Sequence, residues 1–277
     1  MTKITASEVN RLRKMTGSGM MDCKKALVEA EGDFDKAVDL LRKRGQKVAA
    51  KRGDREASEG LVIAKSSEDG TKGVIFVLNC ETDFVAKNEE FVKLATTIGD
   101  LALNNFPAST DDLNALPFEG ATSIGDRVIE EVGKIGEKIF ISGYERIDSS
   151  VVVAYNHPGN QVASLVGLSV AGDQVNEAGR DIAMQVAAMA PVALDKDQVS
   201  AELVEKEIEI GKDQARQEGK PEAMLEKIAM GKLNKFYKEN TLLNQDFIKD
   251  TKKTVTQYLK EIDNDLTVTS FKRFSLS

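Results

Sequence analysis

A chain of 277 residues is too long for one small domain and points to two or three folding units. Apolar residues make up 41% and charged residues 30%, enough for packed cores under an ordinary soluble surface. With no Trp and only 4 Tyr, the chain lacks the aromatic supply of a base-stacking surface. The net charge of -7 divides unevenly: residues 1–56 hold 14 Lys+Arg and 9 Asp+Glu, a net of +5, while the rest hold 24 and 36, a net of -12. A basic head on an acidic body suits a mixed-charge protein partner better than a nucleic acid along the whole length, and leaves RNA contact by the head alone open. Cys23 and Cys80 are too few for a disulfide scaffold and are expected as buried thiols in a reducing compartment. No apolar run approaches the ~20 residues of a membrane span. The start MTKITASEVN lacks the apolar core of a secretory signal, so a cytoplasmic protein is expected.

The first 46 residues predict three short helices: Thr5–Met15 with Val9, Leu12 and Met15 at helical spacing, Met20–Glu31 ended by Gly32, and a third helix capped by Asp33. The third carries Ala37, Val38 and Leu41 and is expected to stop at Gly45. Residues 46–59 (QKVAAKRGDREASE) read as a linker or as an exposed extension of that helix. Gly60–Lys65 and Gly73–Asn79 predict two strands around a turn. A helix from about Asn88 places Phe91, Leu94, Ala95, Ile98, Leu101 and Ala102 on one face. A second amphipathic helix covers about Ile124–Ile135.

The pattern then repeats. Val151–Tyr155 and Val162–Val170 are strand-like, and a helix at about Asn176–Ala190 follows. One copy ends Phe106-Pro107 and the other Ala190-Pro191, which implies two related α/β subdomains. Asp197–Gln217 and Pro221–Tyr237, separated by Gly219-Lys220-Pro221, predict an antiparallel helical hairpin, with Pro221 in the first turn of its second helix. Thr254–Ile262 reads as a short helix and Leu266–Leu276 as an alternating strand, with Val268, Ser270, Lys272 and Phe274 on one face and Thr269, Phe271 and Arg273 on the other. The fold class is α+β. Its expected organisation is a three-helix head (1–46), a linker (47–59), an N-terminal core subdomain (60–140), a C-terminal core subdomain (141–196 and 239–277) and the hairpin arm (197–238).

Catalytic chemistry finds little support. The one histidine, His157, lies in a turn beside Pro158-Gly159, without a nucleophile elbow or metal-ligand spacing around it. No GxxxxGK[ST] or helix-opening GxGxxG occurs to hold phosphates. Glu89-Glu90 and Glu130-Glu131 read as solvated helix faces rather than catalytic dyads. No enzyme activity, cofactor or metal is expected. What remains is Cys80-Glu81-Thr82-Asp83-Phe84-Val85-Ala86-Lys87-Asn88, which joins the apolar hairpin to the long helix. Thr82 or Asp83 would serve as a helix cap. Phe84, an aromatic beside a carboxylate at an exposed corner, is suited to enter a partner's pocket.

Several of these segments carry a resemblance. Thr16-Gly17-Ser18-Gly19-Met20-Met21-Asp22-Cys23-Lys24-Lys25-Ala26-Leu27 and Asn79-Cys80-Glu81-Thr82-Asp83-Phe84-Val85-Ala86-Lys87 resemble the signatures of bacterial elongation factor Ts. Lys134-Ile135-Gly136-Glu137-Lys138, Gly219-Lys220-Pro221 and Gly231-Lys232-Leu233-Asn234-Lys235-Phe236-Tyr237 continue it in order, over essentially the whole chain. The resemblance implies a ubiquitin-associated-like head, elongation factor Tu as partner, and promotion of GDP release from that GTPase. It implies partner contacts at Arg13, Met20 and Met21 in the head. It implies that Thr82, Asp83, Phe84 and Val85 reach the Mg²⁺ side of the partner's nucleotide pocket, Phe84 as a wedge and Asp83 as its auxiliary. Ile135, Gly136 and His157 are implied to face the rest of the partner. No direct nucleic acid or membrane contact is expected, and self-association stays open. Some members of that family continue past the last core strand into a further helical module; here the sequence closes Phe271-Lys272-Arg273-Phe274-Ser275-Leu276-Ser277, and any role of that module is expected to be absent or carried elsewhere. Two other functions stay in play: a module that holds partners without triggering release, and an RNA-binding accessory factor.

Overall fold

Thr5 opens the first helix by a reciprocal cap. Its hydroxyl accepts from the Glu8 N–H, and the Glu8 carboxylate accepts from the Thr5 N–H at 2.7 Å. The computed structural model describes residues 4–172 and 174–276. The first three residues of the MTKITASEVN start and the terminal Ser277 lie outside the described residues. Two compact units divide the chain: Met1–Ile63 with Phe76–Glu145 and Leu276–Ser277, and Ala64–Ile75 with Arg146–Ser275.

In the first unit, helices α1 (Ala6–Thr16), α2 (Met20–Glu29) and α3 (Phe34–Lys51) form the head. Val9, Leu12, Cys23, Ala26, Leu27, Ala30 and Ala37 make its core. Met15, expected on the buried stripe, is instead 58% exposed. The helix ends one residue later, and Thr16 rather than Met15 faces Cys23. The third helix does not stop at Gly45. It continues to Lys51, through most of the stretch expected as linker or helix extension. Gly45 is there for contact rather than for a cap: a Cβ on it would lie 3.2 Å from the Ile129 carbonyl oxygen.

Strands β1 (Glu59–Ser66), β2 (Lys72–Cys80) and β3 (Phe140–Asp148) form a sheet in that order. The third strand was not visible in the sequence pattern. Between β2 and β3 come the one-turn α4 (Asp83–Ala86), α5 (Glu89–Asn105), α6 (Thr110–Ala115) and α7 (Ile124–Ile135). The apolar face expected on α5 is buried at Phe91, Leu94, Ala95, Ile98 and Ala102. Helix α7 packs against α3. There Glu130-Glu131 is no solvated face: Glu131 is buried and paired with Arg127 at 2.7 Å and Lys134 at 3.2 Å, and Glu130 accepts from Arg42 at 2.7 Å. Only charge neutralisation allows a carboxylate in that position.

The second unit holds an antiparallel sheet of β4 (Val151–Asn156), β5 (Val162–Leu168) and β8 (Val268–Ser275), in that order. Helix α8 (Val175–Met189) packs on β4 and β5. The repeated order extends to how the helices end: α5 closes on Phe106 and α8 on Ala190, both left-handed non-glycine residues directly before proline. The strict alternation expected for the last strand fails. Between Gly167 and Leu168 the register shifts, so Gly167 faces Ser270 and Leu168 faces Val268, leaving Thr269 as the extra residue. Val268 and Phe271 consequently pack against one and the same core.

Helices α9 (Ala201–Gln217) and α10 (Glu222–Asn240) form the expected hairpin. Pro221 sits just before the second helix, at its cap position, rather than inside its first turn. Lys212–Glu226 at 3.0 Å and Arg216–Glu222 at 3.3 Å link the two helices. A short hairpin, β6 (Asp246–Phe247) with β7 (Asp250–Thr254), and α11 (Val255–Ile262) complete the unit. They are tied to α8 by Asp181, which accepts from Lys249 at 2.6 Å and from the Tyr258 hydroxyl at 3.1 Å.

The close approach of α3 and α7 gives a test of opposite signs. A Cβ at Gly133 would come within 2.7 Å of Gly45 Cα, closer than real contacts allow. Gly133→Ala is expected to destabilise by about 1–3 kcal/mol through overpacking, set against a gain of up to ~1 kcal/mol in helix propensity. In α10, nothing lies within 4 Å of the corresponding position on Gly231. Gly231→Ala is expected to stabilise by about 0.5–1 kcal/mol. Urea denaturation of both variants checks the pair, and a stabilised Gly133→Ala would refute the close approach.

Candidate partner-binding site

The corner after β2 is built from its backbone outward. Thr82 has extended φ/ψ and caps α4, its hydroxyl oxygen accepting weakly from Val85 N–H at 3.4 Å. One turn later Asn88 caps α5, accepting from the N–H groups of Glu90 and Phe91. The chain thus starts a helix twice within seven residues, and the single turn between the two caps carries Asp83, Phe84 and Val85. A short connection into a single helix was the simpler sequence expectation.

Two carboxylates fasten this corner. Glu137, just past the end of α7, accepts from the Glu81 N–H at 3.2 Å, the Thr82 N–H at 3.1 Å and the Thr82 hydroxyl at 2.7 Å. Glu81 accepts from the Lys138 N–H at 2.6 Å and from Arg52 at 2.7 and 2.9 Å. The Lys138 N–H, and after it the Arg52 guanidinium, hold the Glu81 carboxyl below the ordinary range. Lys138 in turn donates to the carbonyls of Gly53 and Arg55. Below the corner, the Cys80 thiol donates to the Thr82 carbonyl at 3.1 Å. Burial, then the nearby Glu137 carboxylate, pushes that thiol up to about 12, so it stays protonated at neutral pH.

On this braced turn Phe84 is 83% exposed. Exposing a whole phenyl ring leaves about 1.5–3 kcal/mol of burial energy available to a partner. Asp83 beside it pairs with Lys87 across one turn at 2.7 Å. That hydrogen bond lowers the Asp83 carboxyl and raises the Lys87 ammonium, so both are charged near neutral pH. The corner therefore presents an apolar ring next to a fixed negative charge, and Val85 after them is half-buried.

Among the other sequence candidates, Ile135 and Gly136 close α7 and directly precede Glu137, which bonds to this corner. Gly136 ends α7 in the left-handed conformation at φ 82° and turns the chain so that Glu137 faces Thr82. Arg13, Met20 and Met21 lie exposed on α1 and α2 of the head, Met20 at 53% and Met21 at 61%. His157 belongs to the second unit, exposed in the turn between β4 and β5, with its Nδ1 3.0 Å from the Tyr155 hydroxyl. Sequence reasoning missed the fasteners. Glu137 and Lys138 stood within a quoted motif without a role, and Arg52 stood within the linker stretch. Glu137 lies 55 residues from Thr82, and Arg52 29 residues from Glu81, so no periodicity could pair them.

The basic head looks different once its partners are known. Arg42 pairs with Glu130, Arg44 with Glu29 at 3.1 Å, and Arg52 with Glu81. These cations are engaged within the protein and are not a free stripe for phosphates. Among the described residues no group of three His, Cys, Asp or Glu could hold a metal ion. No helix among them is long and apolar enough to cross a membrane.

Comparison with known proteins gives a consistent result. A family model described as Elongation factor TS matches residues 81–277. The chain is 54% identical to the elongation factor Ts of Christiangramia forsetii and 53% identical to that of Flavobacterium psychrophilum, each over the full length of both chains. It is 46% identical to the elongation factor Ts of Porphyromonas gingivalis, over 99% of this chain and 98% of the relative.

The depressed Glu81 carboxyl makes the corner sensitive to acid in a defined direction. The folded chain holds this proton less tightly than the unfolded chain. The resulting stabilisation is complete above the ordinary glutamate value of about 4.3 and is lost as pH falls through the lower folded value. In urea denaturation, the stability gap between the natural chain and Glu81→Gln is expected to be widest at neutral pH and to narrow below about pH 4.3. A gap unchanged in acid would contradict the Glu81 assignment.

Proposed function

The chain belongs to the elongation factor Ts family, and from that premise we propose that it is a guanine-nucleotide exchange factor that binds elongation factor Tu and promotes GDP release during translation elongation. No covalent bond changes in this function. A factor that binds the nucleotide-free GTPase tightly must weaken nucleotide binding by the same coupling energy, and it speeds exchange without moving its overall equilibrium.

The observation that carries the mechanism is the exposed Phe84 on a turn that cannot easily give way. A ring on a mobile loop would lose its binding energy to ordering on contact, whereas a braced ring delivers it. Phe84 enters the partner beside its Mg²⁺ and phosphate site and separates side chains there. Asp83 exchanges Lys87 for groups that hold the metal and disturbs them electrostatically. Thr82 acts chiefly as the cap that sets the turn, and the half-buried Val85 follows Phe84 in it. Met20 and Met21, with Arg13, dock the head on the partner's nucleotide domain; Ile135, Gly136 and His157 meet other parts of it. The pairing of Arg42, Arg44 and Arg52 inside the protein removes three of the fourteen cations of residues 1–56 from any RNA-binding stripe.

Release of a fluorescent GDP analogue from elongation factor Tu tests the mechanism. Phe84→Ala is expected to slow release at least ~10-fold, equivalent to about 1.4 kcal/mol, with the fold retained because the ring has almost no intramolecular contacts. Asp83→Ala is expected to slow it less. Wild-type release rates in both variants would refute the wedge and favour a module that holds the partner without acting on its nucleotide.

A further inference from the structure

We infer that Glu137 is a positioning residue for nucleotide release, setting the placement of Phe84 and Asp83 through the corner on which they stand. The inference rests on the wedge proposed above and assigns it a controlling group. Glu137 touches neither side chain of the wedge. Its carboxylate instead gathers three donors from two successive residues, Glu81 N–H, Thr82 N–H and the Thr82 hydroxyl, all within 3.2 Å. Those residues immediately precede Asp83, so their peptide planes fix where α4 begins and which way its single turn faces.

At its far end the turn is tied to the start of α5 by the Asn88 N–H, which donates to the Val85 carbonyl at 3.0 Å; at its entry, Glu137 is the charged acceptor that holds it. The weak cap at Val85 N–H and the backbone bonds from Ala86 to the Thr82 carbonyl and from Lys87 to the Asp83 carbonyl hold the turn together internally but do not orient it. Orientation has to come from outside the turn. Cys80 Sγ supplies only a weak thiol donor. Glu81 is held on its side-chain end by Arg52 and Lys138, which anchors the residue but leaves its N–H and that of Thr82 to Glu137. A charged acceptor taking three donors is the strongest link available here. The same carboxylate is delivered by the left-handed Gly136 at the end of α7, the helix that packs on the head's α3. Head and wedge are in this way joined through one helix, and Glu137 is the point where that helix meets the wedge.

A positioning role predicts a particular kinetic signature. Release of the fluorescent GDP analogue from elongation factor Tu is followed against factor concentration for the full chain and for Glu137→Ala, Glu137→Gln, Phe84→Ala and Phe84→Ala/Glu137→Ala. Glu137→Ala is expected to lower the limiting release rate about 10-fold or more, as misplacement of a reacting group does, while the half-saturating concentration stays within about 2-fold because the head's docking surface is untouched. Glu137→Gln keeps the shape and one acceptor oxygen and is expected to fall between the two. The double variant is expected to be no more than about 2-fold slower than Phe84→Ala, since both changes act through one group. If Glu137→Ala does not fold by circular dichroism, Glu137→Gln and Thr82→Val, which removes the hydroxyl donor, carry the test with smaller drops in the limiting rate. Unchanged limiting rates in the folded Glu137 variants, or losses that multiply with Phe84→Ala, overturn the inference while the wedge stands. A wild-type rate in Phe84→Ala instead removes the wedge itself.

Discussion

Helices α3 and α7 touch backbone to backbone at Gly45 and Gly133, and the first unit is arranged around that approach. With no Cβ on either residue, the helices come closer than any side chain would permit, and a close contact of this kind allows little sliding or rotation. The fixed alignment then puts side chains of ordinary length within reach of partners far away in sequence. Arg42 on α3 meets Glu130 on α7. Beyond the ends of the same helices, Arg52 meets Glu81 and Glu137 meets Thr82. Were the helices farther apart, these charge-assisted bonds would lengthen together, and the corner that presents Phe84 would lose both of its fasteners.

Charge in this unit serves attachment more than attraction. The sequence balance of the first 56 residues suggests a basic surface, yet several of its arginines are consumed by carboxylates of the same chain. Glu131 is the extreme case, a buried carboxylate neutralised by Arg127 and Lys134 on its own helix. Apolar side chains are exposed here too, Met15, Met20 and Met21 on the head and Phe84 on the corner, alongside head cations such as Arg13, Lys24 and Lys25. Flexible methionines tolerate varied partner surfaces, and a rigid aromatic contributes direction. The two kinds of contact suit docking and wedging respectively.

The second unit repeats the first in order but not in use. Both helices that follow a strand pair end in a left-handed residue before proline, Phe106 and Ala190, a conformation that costs energy for residues with a side chain and is kept in both copies. Among the described residues, the second copy has no counterpart of the exposed aromatic turn. Its connection from β5 to α8 leads to a helix whose Asp181 and Gln185 are turned inward, holding the β6–β7 hairpin and α11. One architecture thus carries an exposed aromatic turn in one place and an internal scaffold in the other.

Local chemistry made much of this legible in advance. Helical spacing located α1, α5 and α7, the capping residue Asp33 located the start of α3, and the Gly-Lys-Pro break located the hairpin, because each depends on residues within a few positions of one another. Phe84 stood out because an aromatic interrupts a polar corner without belonging to any apolar stripe, and family resemblance gave it a partner. Other features depended on contacts that sequence spacing does not encode. Gly45 looks like a helix stop until another helix lies against it. Thr269 looks like one more alternating strand residue until its partner strand shifts register. Glu130-Glu131 looks solvated until Arg42, Arg127 and Lys134 surround it, and Glu137 has no visible task until folding brings it across 55 residues to Thr82. The sequence by itself determined most of the helices, the two apolar strand pairs and the aromatic that stands out at the corner, since those follow from short-range sterics and periodicity. Only the tertiary structure decided how that residue is held, because the holding is done by directional hydrogen bonds between groups that meet only when helices pack.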